Sequence, residues 1–519
     1  MFRTTLVLSL VLTGGVLASS NVERRFVLEE TTIGQVHSAF RSGDLTCRQL
    51  VESYLARIEK YDQQGPSLNA ITSVNPDALS EADHLDLLFA EGGLTGPLHC
   101  VPVIVKDNIE TKGWETNGGS QSLRGFVPER DATAIARLKA AGAIILAKSN
   151  MSELALNALN TVNRVHGRTK NAYDPNRVPA GSSGGTAVAL AANFGLVGLG
   201  TDTGGSVRGP ASHAAIVGFR PTMGLTSRTG TIPVDTQSDV VGPMARTVED
   251  VAAVLNVLIG PDDQDPSTDA LEALPEMPQM DAFLDAGLDG VRIGVLRQAW
   301  EADPLKMDPQ IAKAFDRALA DLKSMGATIV SSVPLERVAP APEAEGCHGL
   351  KYDLNKFLEE QGNRVKVHSL TEIVRGARYD PSIEENLREM EAGEQDGPGS
   401  KACEANAAYR EKVAWSLKAA MARARVDVLI YPTWTQQPQL ASNIVLEESG
   451  QPARFASAAG LPAITVPMGF SADMLPMGLS LMGGSWSDAK LLGIANAYEQ
   501  ATRHRRPPVL APRIPREFR

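Results

Sequence analysis

Three short segments of this sequence place together residue types that could carry out nucleophilic acyl chemistry. The first is Pro102-Val103-Ile104-Val105-Lys106-Asp107-Asn108, in which a lysine closes an apolar run. In α/β sheets, ligands gather at the carboxyl ends of strands. Burial there disfavours an ammonium and leaves a neutral amine able to accept a proton. Read alone, a lysine at a strand end is more often a solvated surface residue. The second segment is Ala180-Gly181-Ser182-Ser183-Gly184-Gly185. Its composition suits a flexible linker, but the apolar residues that follow favour a tight loop feeding a helix start. The third is Gly200-Thr201-Asp202-Thr203-Gly204-Gly205-Ser206-Val207-Arg208. Two glycines before a serine let several backbone N–H groups aim at one point, as a developing oxyanion requires. The same geometry can hold phosphate, but the chain has no GxxxxGK[ST] pattern.

Two other serine motifs compete. Gly181 to Gly185 also fits G-x-S-x-G, with Ser183 as the nucleophile of an esterase. That chemistry needs a downstream histidine, and His348, His368 and His504 stand in no recognisable context. Ser487-Asp488-Ala489-Lys490 fits S-x-x-K, but it opens a helix, where Ser487 reads more simply as an N-cap.

The elements that must position these residues alternate. Cys100 to Val105 reads as a buried strand, Ala132 to Ala141 as a helix stopped by Gly142, and Ala143 to Ala147 as a strand. Thr186 to Asn193 reads as an Ala-rich helix, and Leu196 to Gly200 as a strand. Val426 to Tyr431, Ala463 to Val466 and Gly478 to Leu481 are later strands, and Lys490 to Thr502 is a closing helix. Upstream, apolar positions from Arg48 to Tyr61 follow a helical period behind Thr46 as N-cap, and Glu81 to Ala90 is helical. The alternation predicts a layered α/β/α fold with a large central mixed, mostly parallel sheet covered by helices. Residues 260 to 415 are richer in charge and proline and mostly helical in pattern, as in Ile311 to Met325. They read as helical cover on a single domain spanning 23–519. Glu391 to Ser400, with its glycines, reads as an exposed loop.

Bulk properties narrow the class. With 519 residues, 43% hydrophobic and 21% charged, the chain can bury a large core. Its net charge of −11 and lack of a basic stripe count against a nucleic-acid partner. Residues 1–18 have a basic start, an uncharged Leu/Val run and the small-residue end Val16-Leu17-Ala18, the layout of a secretory signal peptide. The run is short for a membrane span, although an uncleaved anchor has similar features. The expectation is a secreted or periplasmic protein with no stable membrane insertion after cleavage. The four cysteines form no CxxC pair, so no metal is implied. An even count in a secreted chain makes two disulfides plausible, and spacing alone leaves three pairings open.

Together the lysine of a KDN segment, the GSSGG loop and the GGS loop resemble the amidase-signature family. Ser182 and Ser206 are 24 residues apart (206 − 182), as in that family. The resemblance runs from about residue 30 to 510 and includes Gly460 to Pro467 and the closing Tyr498 to Thr502 segment. It implies that Ser206 is the nucleophile and that Ser182, following a cis peptide bond, relays its proton to Lys106. It also implies that the backbone N–H groups of Thr203, Gly204, Gly205 and Ser206 bind the oxyanion, with Ser183, Asp202 and Arg208 in support. The family needs no cofactor.

Cys47 and Cys100 lie where many relatives have Ser and Gly, which suggests a Cys47–Cys100 bridge and a second one, Cys347–Cys403. The implied activity is hydrolysis of a linear amide C–N bond in a small-molecule or peptide substrate. The amidotransferase subunit that works on glutamine and charged transfer RNA shares these segments and is the alternative; a serine esterase or a non-catalytic binding protein are further ones. Specificity is expected from the 260–415 cover and the loop from Tyr431 to Gln437, with Trp434 and Phe357 as either pocket or core residues. The sequence points to no oligomeric state.

Overall fold

The Val- and Ile-rich runs form the strands of one sheet because residues buried on both faces must be apolar throughout. The computed structural model describes residues 26–301, 306–336, 347, 349–393, 397–445 and 452–514. The signal peptide expected over residues 1–18 lies outside them. The strands are β1 (Ile71–Val74), β2 (Pro102–Lys106), β3 (Ile144–Ser149), β4 (Val162–Asn163), β5 (Gly167–Arg168), β6 (Val197–Thr201) and β7 (Val217–Arg220). There follow β8 (Val241–Ala245), β9 (Arg292–Val295), β10 (Thr328–Val330), β11 (Val428–Pro432), β12 (Ala463–Phe470) and β13 (Pro476–Met482). β4 and β5 form a small separate hairpin; the other strands make an eleven-stranded sheet in the order β1-β3-β2-β6-β8-β7-β12-β13-β11-β9-β10.

The sheet is large, mixed and covered by helices, as the alternation predicts. Its parallel ladders form two wings, β3-β2-β6 and β11-β9-β10. Antiparallel ladders through β8, β7, β12 and β13 join the wings, and β1 adds an antiparallel edge. In the first wing every residue of β2 and β6 is buried. Adjacent parallel register brings the carboxyl ends of β2 and β6, Lys106 and Thr201, side by side.

The helix Gly184–Ala191 lies against this wing with all eight residues buried. Small side chains are required there: a Cβ on Gly185 would stand 2.1 Å from the Asn150 carbonyl oxygen. At the N-terminal side, Thr46 caps the helix Cys47–Arg57, and Gln49 completes a capping box. Cys47 at its start is bonded to Cys100 just before β2, with Cα atoms 5.7 Å apart. The helices Ala78–Gly92, Thr133–Ala140, Pro309–Ser324 and Asp488–Thr502 fall where the periodicity puts them, within a few residues.

Residues 260–415 prove to be more than cover. β9 and β10 lie within them and extend the sheet, with the helix Pro309–Ser324 between them. Strands of four and three residues contain too few alternations to register against a helical background. The cover itself comprises the helices Gly349–Gln361, Leu370–Gly376, Glu384–Ala392 and Lys401–Ala424. Of the loop expected at Glu391–Ser400, Glu391 and Ala392 still belong to the helix Glu384–Ala392, residues 394–396 lie outside the described residues, and 397–400 lead into the helix Lys401–Ala424. Leu350, Leu354, Phe357 and Leu387 from the cover pack with Leu123, Phe126, Leu154 and Ile232 in a second apolar cluster. Cys347–Cys403 joins the chain just before Gly349–Gln361 to the first turn of Lys401–Ala424, with Cα atoms 4.9 Å apart. Among the described residues, no helix is long and apolar enough to cross a membrane.

Candidate active site

Lys106 ends β2 and is wholly buried. Its Nζ donates to Ser182 Oγ at 2.6 Å, Thr201 Oγ1 at 2.7 Å and the Thr201 carbonyl at 3.4 Å. Asn108 Nδ2 donates to the same Thr201 hydroxyl at 3.1 Å. Burial lowers the Lys106 ammonium to about 7, against the opposing attraction of Asp239 and Asp202. A lysine in this state is available as a neutral base near neutral pH.

Ser182 and Ser183 enter the helix Gly184–Ala191 through a loop whose Gly181–Ser182 peptide bond is cis. The Gly181 N–H donates to the Ala158 carbonyl at 2.8 Å, and the Ser182 carbonyl accepts from Ser152 N at 3.1 Å. Ser183 ties the two serine loops together. Its N–H donates to the Ser206 carbonyl at 3.2 Å, and its hydroxyl to the Thr201 carbonyl at 3.3 Å. The Ser183 hydroxyl therefore serves the backbone, and no histidine bonds to it among the described residues.

Asp202 organises the loop that carries Ser206. The carboxylate accepts from Gly205 N at 2.9 Å and Val207 N at 3.2 Å. Arg208 reaches it through Nε at 3.1 Å and Nη2 at 3.0 Å, and Arg220 Nη1 at 3.1 Å. The two guanidinium groups hold the carboxyl well below the usual range despite its burial. Arg208 also donates to the Ala453 carbonyl and to Ser457 Oγ. Gly205 has φ +116°, a backbone shape that side chains resist. Of the four N–H groups that the family resemblance implies for an oxyanion, that of Gly205 is already engaged by Asp202. Among the described residues, no hydrogen bond engages the N–H groups of Thr203, Gly204 or Ser206.

Ser206, Thr203 and Gly204 line a cavity of about 320 Å³. Leu156, Asn157 and Leu159 form one wall, and Pro381, Ser382, Glu385 and Asn386 of the cover form another. Ser206 itself is 6% exposed. The cover thus does reach the site, as expected from sequence. Neither aromatic candidate lines this cavity. Trp434 donates through Nε1 to the Gly209 carbonyl at 3.0 Å and stacks on His213, behind the helix Arg208–His213. Phe357 meets Phe126 edge-on inside the second apolar cluster. Ser487 stands at a helix start, but its hydroxyl donates to the Gly484 carbonyl, and Lys490 pairs with Asp427 at the surface.

Several residues with structural parts in this site carry no local signal in the sequence. Arg220 and Ser457 hold Asp202 from other elements. Asp239, buried, accepts from the Thr203 hydroxyl. Lys148, on β3, is a second buried lysine; it donates to the Ile109 carbonyl at 2.6 Å and Thr116 Oγ1 at 2.9 Å and lies 3.5 Å from Asp107. It fixes the turn that follows Lys106, which gives Asp107 of the KDN segment a structural partner.

Comparison with known proteins agrees with this arrangement. Residues 49–492 match the family model described as Amidase. The chain is 34% identical over 497 residues to a glutamyl-tRNA(Gln) amidotransferase subunit of Microcystis aeruginosa, covering 92% of this chain and 99% of that one. It is also 34% identical to the subunit of the same name from Symbiobacterium thermophilum, covering 91% and 96%. Among solved structures, the native peptide amidase from Stenotrophomonas maltophilia superposes with a TM-score of 0.84 at 36% identity, covering 93% of this chain and 99% of that one. An amidase family protein from Bacillus anthracis gives 0.81 at 28% identity, covering 93% and 92%. The motifs, the sheet and the match over most of its length lead to one statement: the chain belongs to the amidase family.

Proposed function

We propose that this chain is a serine amidohydrolase that cleaves a linear carboxamide through an acyl-enzyme on Ser206. One observation carries the reading. A buried lysine with its ammonium lowered to about 7 contacts Ser182 at 2.6 Å, beside a serine loop with unengaged N–H groups. Ser206 Oγ attacks the amide carbonyl carbon as its proton passes to Ser182 Oγ and the Ser182 proton passes to neutral Lys106. The carbonyl electron pair moves onto oxygen, where the N–H groups of Thr203, Gly204 and Ser206 receive it. Losing one such donor typically costs ~100- to 1,000-fold in rate. The relay then returns a proton to the amide nitrogen, the C–N bond breaks and the amine leaves. Water repeats the sequence on the ester, releasing the acid.

The substrate class in this reading is a small-molecule or peptide amide. The likeness to the Stenotrophomonas maltophilia peptide amidase supports the peptide side of it. The reading also places the mature chain outside the cytoplasm. The signal-like residues 1–18 and the two disulfides support that, because disulfides persist mainly in oxidising compartments.

A second reading, an amidotransferase subunit, is favoured by the names of the curated relatives. The net charge of −11 weighs against a transfer-RNA partner. The test is release of ammonia or amine by the chain without its first eighteen residues, on primary amides, anilides and peptide amides, beside Ser206→Ala and with EDTA as a control. Turnover that disappears in the variant and survives EDTA is the expected result. Activity only with glutamine and charged transfer RNA would favour the second reading, and equal turnover by wild type and variant would remove Ser206 from the chemistry.

A further inference from the structure

Thr203 stands in the loop between strand β6 and the nucleophile, partly open to the cavity. A loop residue whose N–H must meet an oxyanion needs something to stop it turning. Its side chain supplies a handle: Thr203 Oγ1 donates to Asp239 Oδ1. The Asp239 carboxylate is itself held. Its Oδ2 accepts from Val234 N at 2.8 Å and Asp235 N at 3.0 Å, leaving Oδ1 for Thr203.

The segment carrying Asp239 is braced from two directions. From the cover, Asp353 Oδ2 accepts from Thr236 N at 2.8 Å, and Arg410 donates to the Gln237 carbonyl at 3.0 Å and to Asp235 Oδ2. From the sheet, Arg220 Nη2 donates to the Ser238 carbonyl at 2.8 Å while Nη1 holds Asp202. The charged groups that face Asp239 are Lys106, Asp235, Arg220 and Arg228.

We propose that Asp239 is a positioning residue for the amide reaction: through the Thr203 hydroxyl it aims the Thr203 and Gly204 N–H groups at the place where the oxyanion forms. This rests on the reading of Ser206 as nucleophile. Asp239 touches neither substrate nor the reacting atoms, so its effect passes through Thr203 and, as a charge, through Lys106. Of the groups that favour charged Lys106, Asp239 is the strongest.

The test is a double-mutant cycle on a substrate that the wild type hydrolyses. Thr203→Val keeps the backbone N–H and the shape and removes only the hydroxyl. Asp239→Asn keeps the shape, removes the charge and leaves one acceptor oxygen where Thr203 on one side and Val234 N and Asp235 N on the other need two. Each is expected to lower kcat on the order of 100-fold with KM within about threefold, as a misplaced oxyanion donor does. The double variant should fall no more than about threefold below either single one, because both remove one link. The acid limb of kcat/KM should move to lower pH in Asp239→Asn and stay in place in Thr203→Val. A general loss of packing would not divide the two variants in that way. Losses that multiply, or an Asp239→Asn kcat within about twofold of wild type, would overturn the proposal. Ser206→Ala run alongside separates the two failures. Turnover that survives in it refutes the nucleophile, whereas its silence with an undisturbed Asp239→Asn refutes only the positioning role.

Discussion

Lys106 Nζ lies 2.6 Å from Ser182 Oγ, and among the described residues no carboxylate stands within ion-pair distance of it. A buried lysine usually has a carboxylate partner, as Lys148 has Asp107 one strand away. The difference separates the two lysines by task. Lys148 braces the turn through Asp107, Thr116 and the Ile109 carbonyl, whereas the partners of Lys106 are hydroxyl and carbonyl oxygens alone, which a neutral amine also satisfies.

The first prediction is the pH dependence of that amine. Lowering of Lys106 to about 7 means that the neutral form prevails above that pH. kcat/KM should therefore rise as pH increases through about 7 and then level off. Lys106→Arg, which stays charged, should lose the activity at every pH, by ~100-fold or more. A flat wild-type profile from pH 5 to 9 would count against Lys106 as the base.

The buried Asp202 cluster yields a stability prediction. Asp202→Asn leaves Arg208 and Arg220 buried without their shared carboxylate. Breaking such a buried pair typically costs about 3–5 kcal/mol at neutral pH. The folded-state pKa is depressed below the ordinary 3.8, so the contribution of the carboxylate is present above that value and is lost as pH falls. The gap between wild type and variant in urea unfolding should therefore narrow in acid. A constant gap from pH 7 to pH 3 would show that charge is not what Asp202 contributes.

Ser182, Ser206 and Lys106 were readable in the sequence because each sits in a local pattern: a strand end, or a serine behind glycines. Thr46 was readable as a cap for the same reason, its partner Gln49 being three residues away. Arg220, Asp239 and Ser457 were not, because what matters about them is a contact made across 18 to 255 residues of chain. The engagement of Gly205 N–H by Asp202 was equally hidden: a glycine-serine loop reveals that donors exist, not which ones another carboxylate has already taken. Trp434 shows the converse. Its place in the loop from Tyr431 to Gln437 leaves pocket and core both open; its ring meets His213 and its indole N–H meets the Gly209 carbonyl, so it packs against the helix Arg208–His213.

Glu153 offers a test in the opposite sense. Its wholly buried carboxyl is pushed up to about 7 by burial, and its Oε2 accepts from Asp380 N at 2.8 Å, where the cover approaches the cavity. A raised folded-state pKa contributes stability that is fully present below the ordinary 4.5 and is lost as pH rises through about 7. Glu153→Gln should then match wild type near pH 4 and exceed it at pH 8, by on the order of 3 kcal/mol. Thermal unfolding of both proteins across that range measures it; a variant less stable at pH 8 would refute it.

The disulfides make a paired prediction. They span 53 and 56 residues of sequence, so constraint of the unfolded chain gives each about 4 kcal/mol on the entropic model. Their positions differ more than their loop lengths do. Cys47–Cys100 braces the entry to the Lys106 strand, and Cys347–Cys403 braces the two cover helices that hold the 235–239 segment. Replacing either pair with serine should lower the melting temperature, and only the second should also raise KM by shifting the wall with Pro381 and Asn386. Equal effects of both on KM would contradict this division.

Arg208 reaches forward 245 residues to Ala453 and 249 to Ser457 to complete its bonds. During synthesis, a growing chain therefore possesses Lys106, Ser182 and Ser206 long before it possesses the turn that pins the arginine beside them. Until that late turn arrives, Asp202 lacks part of the frame that shapes the loop around Ser206. The frame around the Ser206 loop is therefore complete only once residues 453–457 have folded back onto it.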